Sequence, residues 1–212
     1  ALRHADLNGE PVRFVIMKAT EGTDFLDEYY NENMPKAKKA GFICGAYHFF
    51  LPSESPRQQA EYFIRNVKLT NGDFPPVLDI EHSGNLDKRQ IRDAALEWLT
   101  IVEKEYDVKP IIYTNYKFKM TYLNDSVINQ YPYWIAHYYV DSLQYKGPWR
   151  LWQYTDNGTL DGITGTVDFN IYNGSMYDLH KFLIGHKDEN DYTDADSVVP
   201  LPRREDIMGD DE

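Results

Sequence analysis

Short apolar runs along this chain alternate with stretches whose apolar residues recur at helical spacing. Phe14-Val15-Ile16-Met17 reads as a strand that stops at Lys18-Ala19-Thr20-Glu21-Gly22. Positions 32–40 read as a helix with Gly41 as its stop signal. A strand over 42–50, a helix over 56–67 and a strand over 76–81 follow. Ile91, Ala94, Ala95, Trp98, Val102 and Tyr106 lie near helical spacing and predict a long amphipathic helix over 87–106. A strand over 110–114 and a short helix over 117–123 complete the alternation. The rhythm then changes to three strands, 133–139, 150–155 and 167–172, with little helix between them, before a last helix over 176–184. Seven strands, the first four alternating with helices, point to an α/β fold: a parallel, TIM-like but irregular (β/α) barrel with fewer helices in its C-terminal half. Such a barrel usually closes with eight strands. Residues 1–7 read as the end of a helix, and a helix that leads into a barrel strand should itself follow a strand. A first strand is therefore expected to be missing from this chain.

Within Pro75-Pro76-Val77-Leu78-Asp79-Ile80-Glu81, side-chain alternation puts Asp79 and Glu81 on one face and Leu78 and Ile80 on the other. A strand interior is a costly place for carboxylates, and two close together repel, which drives their pKa values apart as acid–base chemistry requires. The alternative is a pair of strand-end acids, one solvated and one capping the next helix. Asp168, in Gly165-Thr166-Val167-Asp168-Phe169-Asn170, shares a face with Asn170 and is a third acid able to converge on the first two, or else a cap or turn acid. In a barrel the active site lies at the carboxyl ends of the strands, where Asp79 and Glu81 are placed.

Composition narrows the classes. The net charge is −12, but from His186 onward ten acids face three bases, so that segment carries −7 and the remainder only −5. Residues 1–185 are read as the barrel domain and 186–212 as an acidic, disordered or loosely docked tail without the apolar content for a second domain. No basic patch marks a nucleic-acid binder. No run of about 18 apolar residues exists, so no membrane span is expected. The single Cys44 excludes an internal disulfide framework and a Cys-based zinc site, and its strand setting suggests a small buried hydrophobe. The six histidines show no His-x-x-x-His pair, so neither a zinc site nor any other metal or cofactor is expected.

Aromatics make up 15% of the residues, with 17 Tyr, and aromatic clefts suit sugar rings. Tyr47, Tyr113 and Trp152 are candidates to line such a cleft, each with barrel packing as the alternative. Trp134 is a weaker candidate, and Gln153 could hydrogen-bond a sugar or a backbone group. Lys18 and Glu21 are expected to form a structural pair near the barrel mouth, and His48, opposite Tyr47 in its strand, a satisfied structural histidine.

The segments Phe14-Val15-Ile16-Met17-Lys18-Ala19-Thr20-Glu21-Gly22-Thr23, Gly45-Ala46-Tyr47-His48-Phe49, Asp79-Ile80-Glu81, Ile112-Tyr113-Thr114-Asn115, Trp134-Ile135-Ala136, Leu151-Trp152-Gln153-Tyr154 and Val167-Asp168-Phe169-Asn170 occur in this order. Over roughly residues 12–175 the chain thereby resembles the glycoside hydrolase family 25 lysozymes, the Chalaropsis-type muramidases. The resemblance implies hydrolysis of the β-1,4 bond between N-acetylmuramic acid and N-acetylglucosamine in peptidoglycan by a secreted or envelope-acting monomer, a phage endolysin among the settings. No signal segment is visible in a chain that begins at Ala1. By matching position, Glu81 is the general acid/base, Asp79 the assisting carboxylate and Asp168 a further active-site acid. The family also places an Asp on its first barrel strand; no residue here matches it, and Asp6, in a helical context, is not assigned that role. Attack by a carboxylate or by the substrate's own acetamido oxygen are both open, and the Asp-x-Glu pair suits the second, with retention. Two other classes compete: a Mg²⁺ or Ca²⁺ phosphodiesterase built on the three carboxylates, and a non-catalytic cell-wall glycan-binding module on the same fold.

Overall fold

The computed structural model describes residues 6, 7 and 10–186; the acidic segment from Lys187 onward lies outside them. The elements run β1 (Asp6–Leu7), β2 (Glu10–Pro11), β3 (Phe14–Glu21), β4 (Phe25–Leu26), α1 (Tyr30–Lys39), β5 (Ile43–Phe49), α2 (Pro56–Asn66), β6 (Val77–Asp79), α3 (Lys88–Tyr106), β7 (Ile111–Asn115), α4 (Tyr116–Tyr122), β8 (Tyr133–Ala136), β9 (Leu151–Gly158), β10 (Val167–Tyr172) and α5 (Met176–Phe182). All seven expected strands are present, joined in one eight-stranded sheet of order β10-β9-β8-β7-β6-β5-β3-β4. From β3 through β9 the neighbours are parallel; β10 returns antiparallel to β9.

Four details differ from the sequence-based expectation. Asp6 and Leu7 do not end a helix: they pair antiparallel with Pro11 and Glu10 in a small hairpin, for which the intervening Asn8-Gly9 is the sequence signal. β3 does not stop at Lys18 but runs to Glu21, where it gains the short antiparallel partner β4. β6 ends at Asp79, so Glu81 stands just beyond the strand rather than in it. β8 likewise ends at Ala136, short of the expected Tyr139.

The sheet divides the apolar residues into two layers. Outward-facing Cys44, Leu78, Ile80, Ile112, Ile135 and Trp152 pack under the helices, whose contribution includes Phe63, Trp98, Leu99 and Val102. Inward-facing Val77, Ile111 and Leu151 fill the lower barrel with Phe74 and Leu179. Local chemistry starts the helices as expected: Ser55 caps α2 ahead of Pro56, and Asp87 and Gln90 form a reciprocal capping box on α3. Cys44 is 1% exposed, and burial pushes its thiol up to about 11, which leaves it an inert core residue.

The barrel wall does not close among the described residues. Along residues 14–18, β3 has β5 on one side and no strand on the other, and β10 has only β9. A cavity of about 710 Å³ lies between these two edges, touching Phe14 and Ile16 from β3 and Phe169 and Ile171 from β10.

Candidate active site

At its upper end the same cavity reaches Tyr47, Asp79, Glu81, Tyr113, Trp134, Gln153 and Asp168. The side-chain period explains how six strands, β5 to β10, deliver these groups to one place. Asp79 stands opposite Phe49 and Tyr113 in the ladder, Trp134 opposite Tyr113, and Gln153 opposite Asn170. Residues of matched orientation on adjacent strands present their side chains to the same interior.

Asp79 is 6% exposed, and its Oδ1 is buried with no hydrogen-bond partner among the described residues. Burial drives its pKa well above the ordinary carboxylate value; the negative charge of Glu81 adds to the rise, and Lys18 opposes it. Glu81 is raised too, chiefly by burial, against a stabilising hydrogen bond from Asn115. Asn115 also caps α4, its Oδ1 accepting from the Phe118 N–H at 2.9 Å, so its amide nitrogen is the group left for Glu81. Burial is the first cause of the rise for both acids, ahead of any repulsion between them. Asp168 is solvent-exposed, and what burial it has, together with the charge of Asp156, raises it.

The aromatic candidates separate. Tyr113 and Trp134 meet edge to face with ring centroids 4.6 Å apart, and the Trp134 Nε1–H donates to Asn170 Oδ1 at 2.8 Å. The Tyr113 hydroxyl donates to Gln153 Oε1 at 2.7 Å, and Tyr138 donates to the same oxygen. With Oε1 doubly occupied, the Gln153 NH₂ is the part of that amide with donors to spare. Trp152 does not join this group. It belongs to the layer under the helices, with Nε1 donating to the His137 carbonyl at 2.9 Å. Two successive strand residues cannot both face inward, and Gln153 takes the inner position.

The structural assignments at the rim hold. Lys18 pairs with Glu21 and lies 5.1 Å and 5.2 Å from the ring centroids of Phe25 and Phe49. His48 is fully buried, bonded to Thr20 Oγ1 at 2.8 Å and Gln59 Oε1 at 3.1 Å, and stacked on Trp98. Burial lowers its pKa to about 4, so a neutral ring donates to Gln59 and accepts from Thr20. Sequence reasoning missed Asn115 and Tyr138. Asn115 had a readable signal, the carboxyl end of a barrel strand; Tyr138 had none. Among the described residues no group of three or more His, Cys, Asp or Glu side chains is arranged to hold a metal ion.

Residues 2–163 match the family profile described as Glycosyl hydrolases family 25. The chain is 42% identical over 182 residues to the Escherichia coli protein YegX, covering 85% of this chain and 66% of that protein's length, so it spans just under two thirds of that relative. It is 30% identical over 192 residues to the N,O-diacetylmuramidase of Chalaropsis sp, covering 82% of this chain and 89% of that one. Among solved structures, the bacterial lysozyme from Streptomyces coelicolor superposes with a TM-score of 0.77 at 30% identity, over 86% of this chain and 90% of that chain.

Proposed function

The chain belongs to the family 25 glycosyl hydrolases, and from that premise we propose that it hydrolyses the β-1,4 bond between N-acetylmuramic acid and N-acetylglucosamine in peptidoglycan. The names of its relatives, lysozyme and N,O-diacetylmuramidase, support the substrate class. The observation that carries the mechanism is the unpartnered Oδ1 of buried Asp79. A buried acceptor without a donor costs on the order of 1–3 kcal/mol, and a ligand N–H in the cavity removes that cost. The N-acetyl group of the sugar carries such an N–H.

In the empty site the raised pKa values of Asp79 and Glu81 favour retention of a proton on the pair. When the acetamido N–H donates to Asp79, the aspartate anion gains a hydrogen bond and the proton is favoured on Glu81. Glu81 then gives that proton to the leaving glycosidic oxygen as the bond to the anomeric carbon breaks. The acetamido carbonyl oxygen forms the new bond to that carbon, and Asp79 balances the charge that develops on the nitrogen. In the second half, the Glu81 carboxylate takes a proton from water, whose oxygen displaces the acetamido oxygen, so the configuration is retained. Tyr47, Tyr113, Trp134 and the Gln153 amide hold the sugar, and Asp168 adds negative potential from the open side; Trp152 supports the site only through packing.

Loss of turbidity of a cell-wall suspension, compared between this chain and Glu81→Gln, tests the reading. Equal measurable rates reject Glu81 as the acid, and no loss of turbidity with either chain favours a glycan-binding module instead. Proton NMR of the first-formed product reads the anomer, and inversion rejects acetamido assistance.

A further inference from the structure

A second groove, of about 760 Å³, lies at the opposite end of the barrel, where β7, β8 and β9 begin. Its charged lining is Lys109, Arg150 and Lys181, all solvent-exposed, against the single acid Asp107. The Lys109 ammonium donates to the Gln130 carbonyl at 3.2 Å and lies over the Tyr131 ring, and the Arg150 guanidinium lies over the Phe182 ring. Neither forms an ion pair with a carboxylate among the described residues. The nearby Asp178, whose charge both Arg150 and Lys181 favour, is already engaged by the Ser175 cap. On a chain of net charge −12, Lys109 and Arg150 thus stand in a basic groove without a carboxylate ion pair among the described residues.

The described chain ends inside this groove. Ile184 is tied to the loop before β6 by two backbone bonds, its N–H to the Asp73 carbonyl and the Gly72 N–H to its own carbonyl, each at 2.9 Å. Gly185, at φ +74°, lies so close to Asn71 that an added Cβ would stand 2.1 Å from Asn71 Oδ1. His186 lines the groove, and its Nε2 is buried without a partner among the described residues. The exit of the chain is therefore pinned beside the cations. The next ten residues, 187–196, carry Asp188, Glu189, Asp191, Asp194 and Asp196. Asp188 follows His186 by two residues, a span of at most about 7 Å.

We propose that this groove is the docking site of the chain's own acidic segment beginning at Asp188, held by Lys109, Arg150 and Lys181. Tethering places the segment at an effective concentration of order millimolar, so individually weak surface pairs act together. Docking there keeps the acidic segment at the end of the barrel away from Asp79 and Glu81. The inference stands on charge and chain path and does not depend on the catalytic reading.

Cleavage of the full chain after Glu189 by a glutamyl endopeptidase, followed by mass spectrometry, tests it. Each rate is normalised to a free peptide of the same sequence. In low salt the parent chain should be cut about fivefold more slowly than Lys109→Glu/Arg150→Glu, the effect of about two exposed ion pairs. The difference should vanish near 1 M salt, where the Debye length is about 3 Å. A second variant leaves the body untouched: Asp188→Asn/Asp191→Asn/Asp194→Asn/Asp196→Asn should show the same acceleration in low salt. Equal normalised rates in the parent and both variants overturn the proposal. Protection that grows with protein concentration also overturns it, because the segment would then dock on a second copy.

Discussion

The two halves of the barrel wall bury their residues differently. In β6 and β8 every residue is buried, and in β7 all but the last. In β3 the first five residues are only half-buried, and in β10 only Tyr172 is fully buried. Sequence hydrophobicity does not account for this, since Phe14-Val15-Ile16-Met17 is as apolar as any strand in the sheet. Neighbours do: β6–β8 have a strand on both sides, whereas β3 and β10 each face the seam. The difference sorts the chemistry as well. The closed wall supplies the acid that burial perturbs most, Asp79, and the seam wall supplies the exposed Asp168. A pKa shift needs the first environment; access for the proposed polymeric substrate needs the second.

The sharpest test sets the acids against each other. Glu81→Gln should lower the rate of glycan hydrolysis by about 10²–10⁴-fold, the usual worth of a general acid. Asp168→Asn should cost only about tenfold, because a charge in contact with water acts at higher effective dielectric. Equal losses would erase the functional distinction between the two walls. Urea unfolding probes the same contrast in stability. Leu78→Ala, at 0% exposure in the closed wall, should cost about 2–5 kcal/mol. Ile16→Ala at the seam should cost about 1 kcal/mol, since less of its surface is withdrawn from water. Comparable values would mean the seam is packed in solution.

Linkage offers a third probe. Asp79 is raised in the fold, so the folded chain binds more protons than the unfolded one over the window between the two pKa values. Its contribution is most favourable below the unfolded value and is lost as pH rises through the folded one. Asp79→Asn should therefore stabilise the chain more at pH 8 than at pH 4, read as the difference in unfolding midpoints. A gain independent of pH would remove burial as the cause of the shift. The smallest effect is expected for Tyr138→Phe. Loss of its bond to Gln153 leaves the Tyr113 bond in place, and KM for a soluble glycan fragment should rise about two- to tenfold with kcat little changed.

Much of this arrangement was legible in the chain because it depends on local periodicity. Alternation placed Asp79 inward and Leu78 outward, and strand order placed Asp79 and Glu81 at the carboxyl end of the sheet. The same rule, applied strictly, would have separated Trp152 from Gln153, since adjacent strand residues cannot share a face. Other features had no local signature. The extension of β3 to Glu21 depends on its ladder with β5 and on β4, a two-residue partner. The Tyr138 contact with Gln153 joins residues on opposite sides of the loop before β9. The dominance of burial over repulsion in the acid pair follows from how the barrel encloses Asp79, which no spacing of two carboxylates reveals.

The seam also bears on solubility. Residues 14–18 and β10 present backbone donors and acceptors with no strand partner among the described residues, which is the template that edge-to-edge aggregation uses. Sheets commonly guard such edges with charged side chains, lysine above all. Lys18 stands on one edge and Asp168 on the other. Two residues that line the cavity are therefore also gatekeepers of the sheet, and a substitution that makes the cavity more apolar for a new ligand would remove a safeguard against self-association.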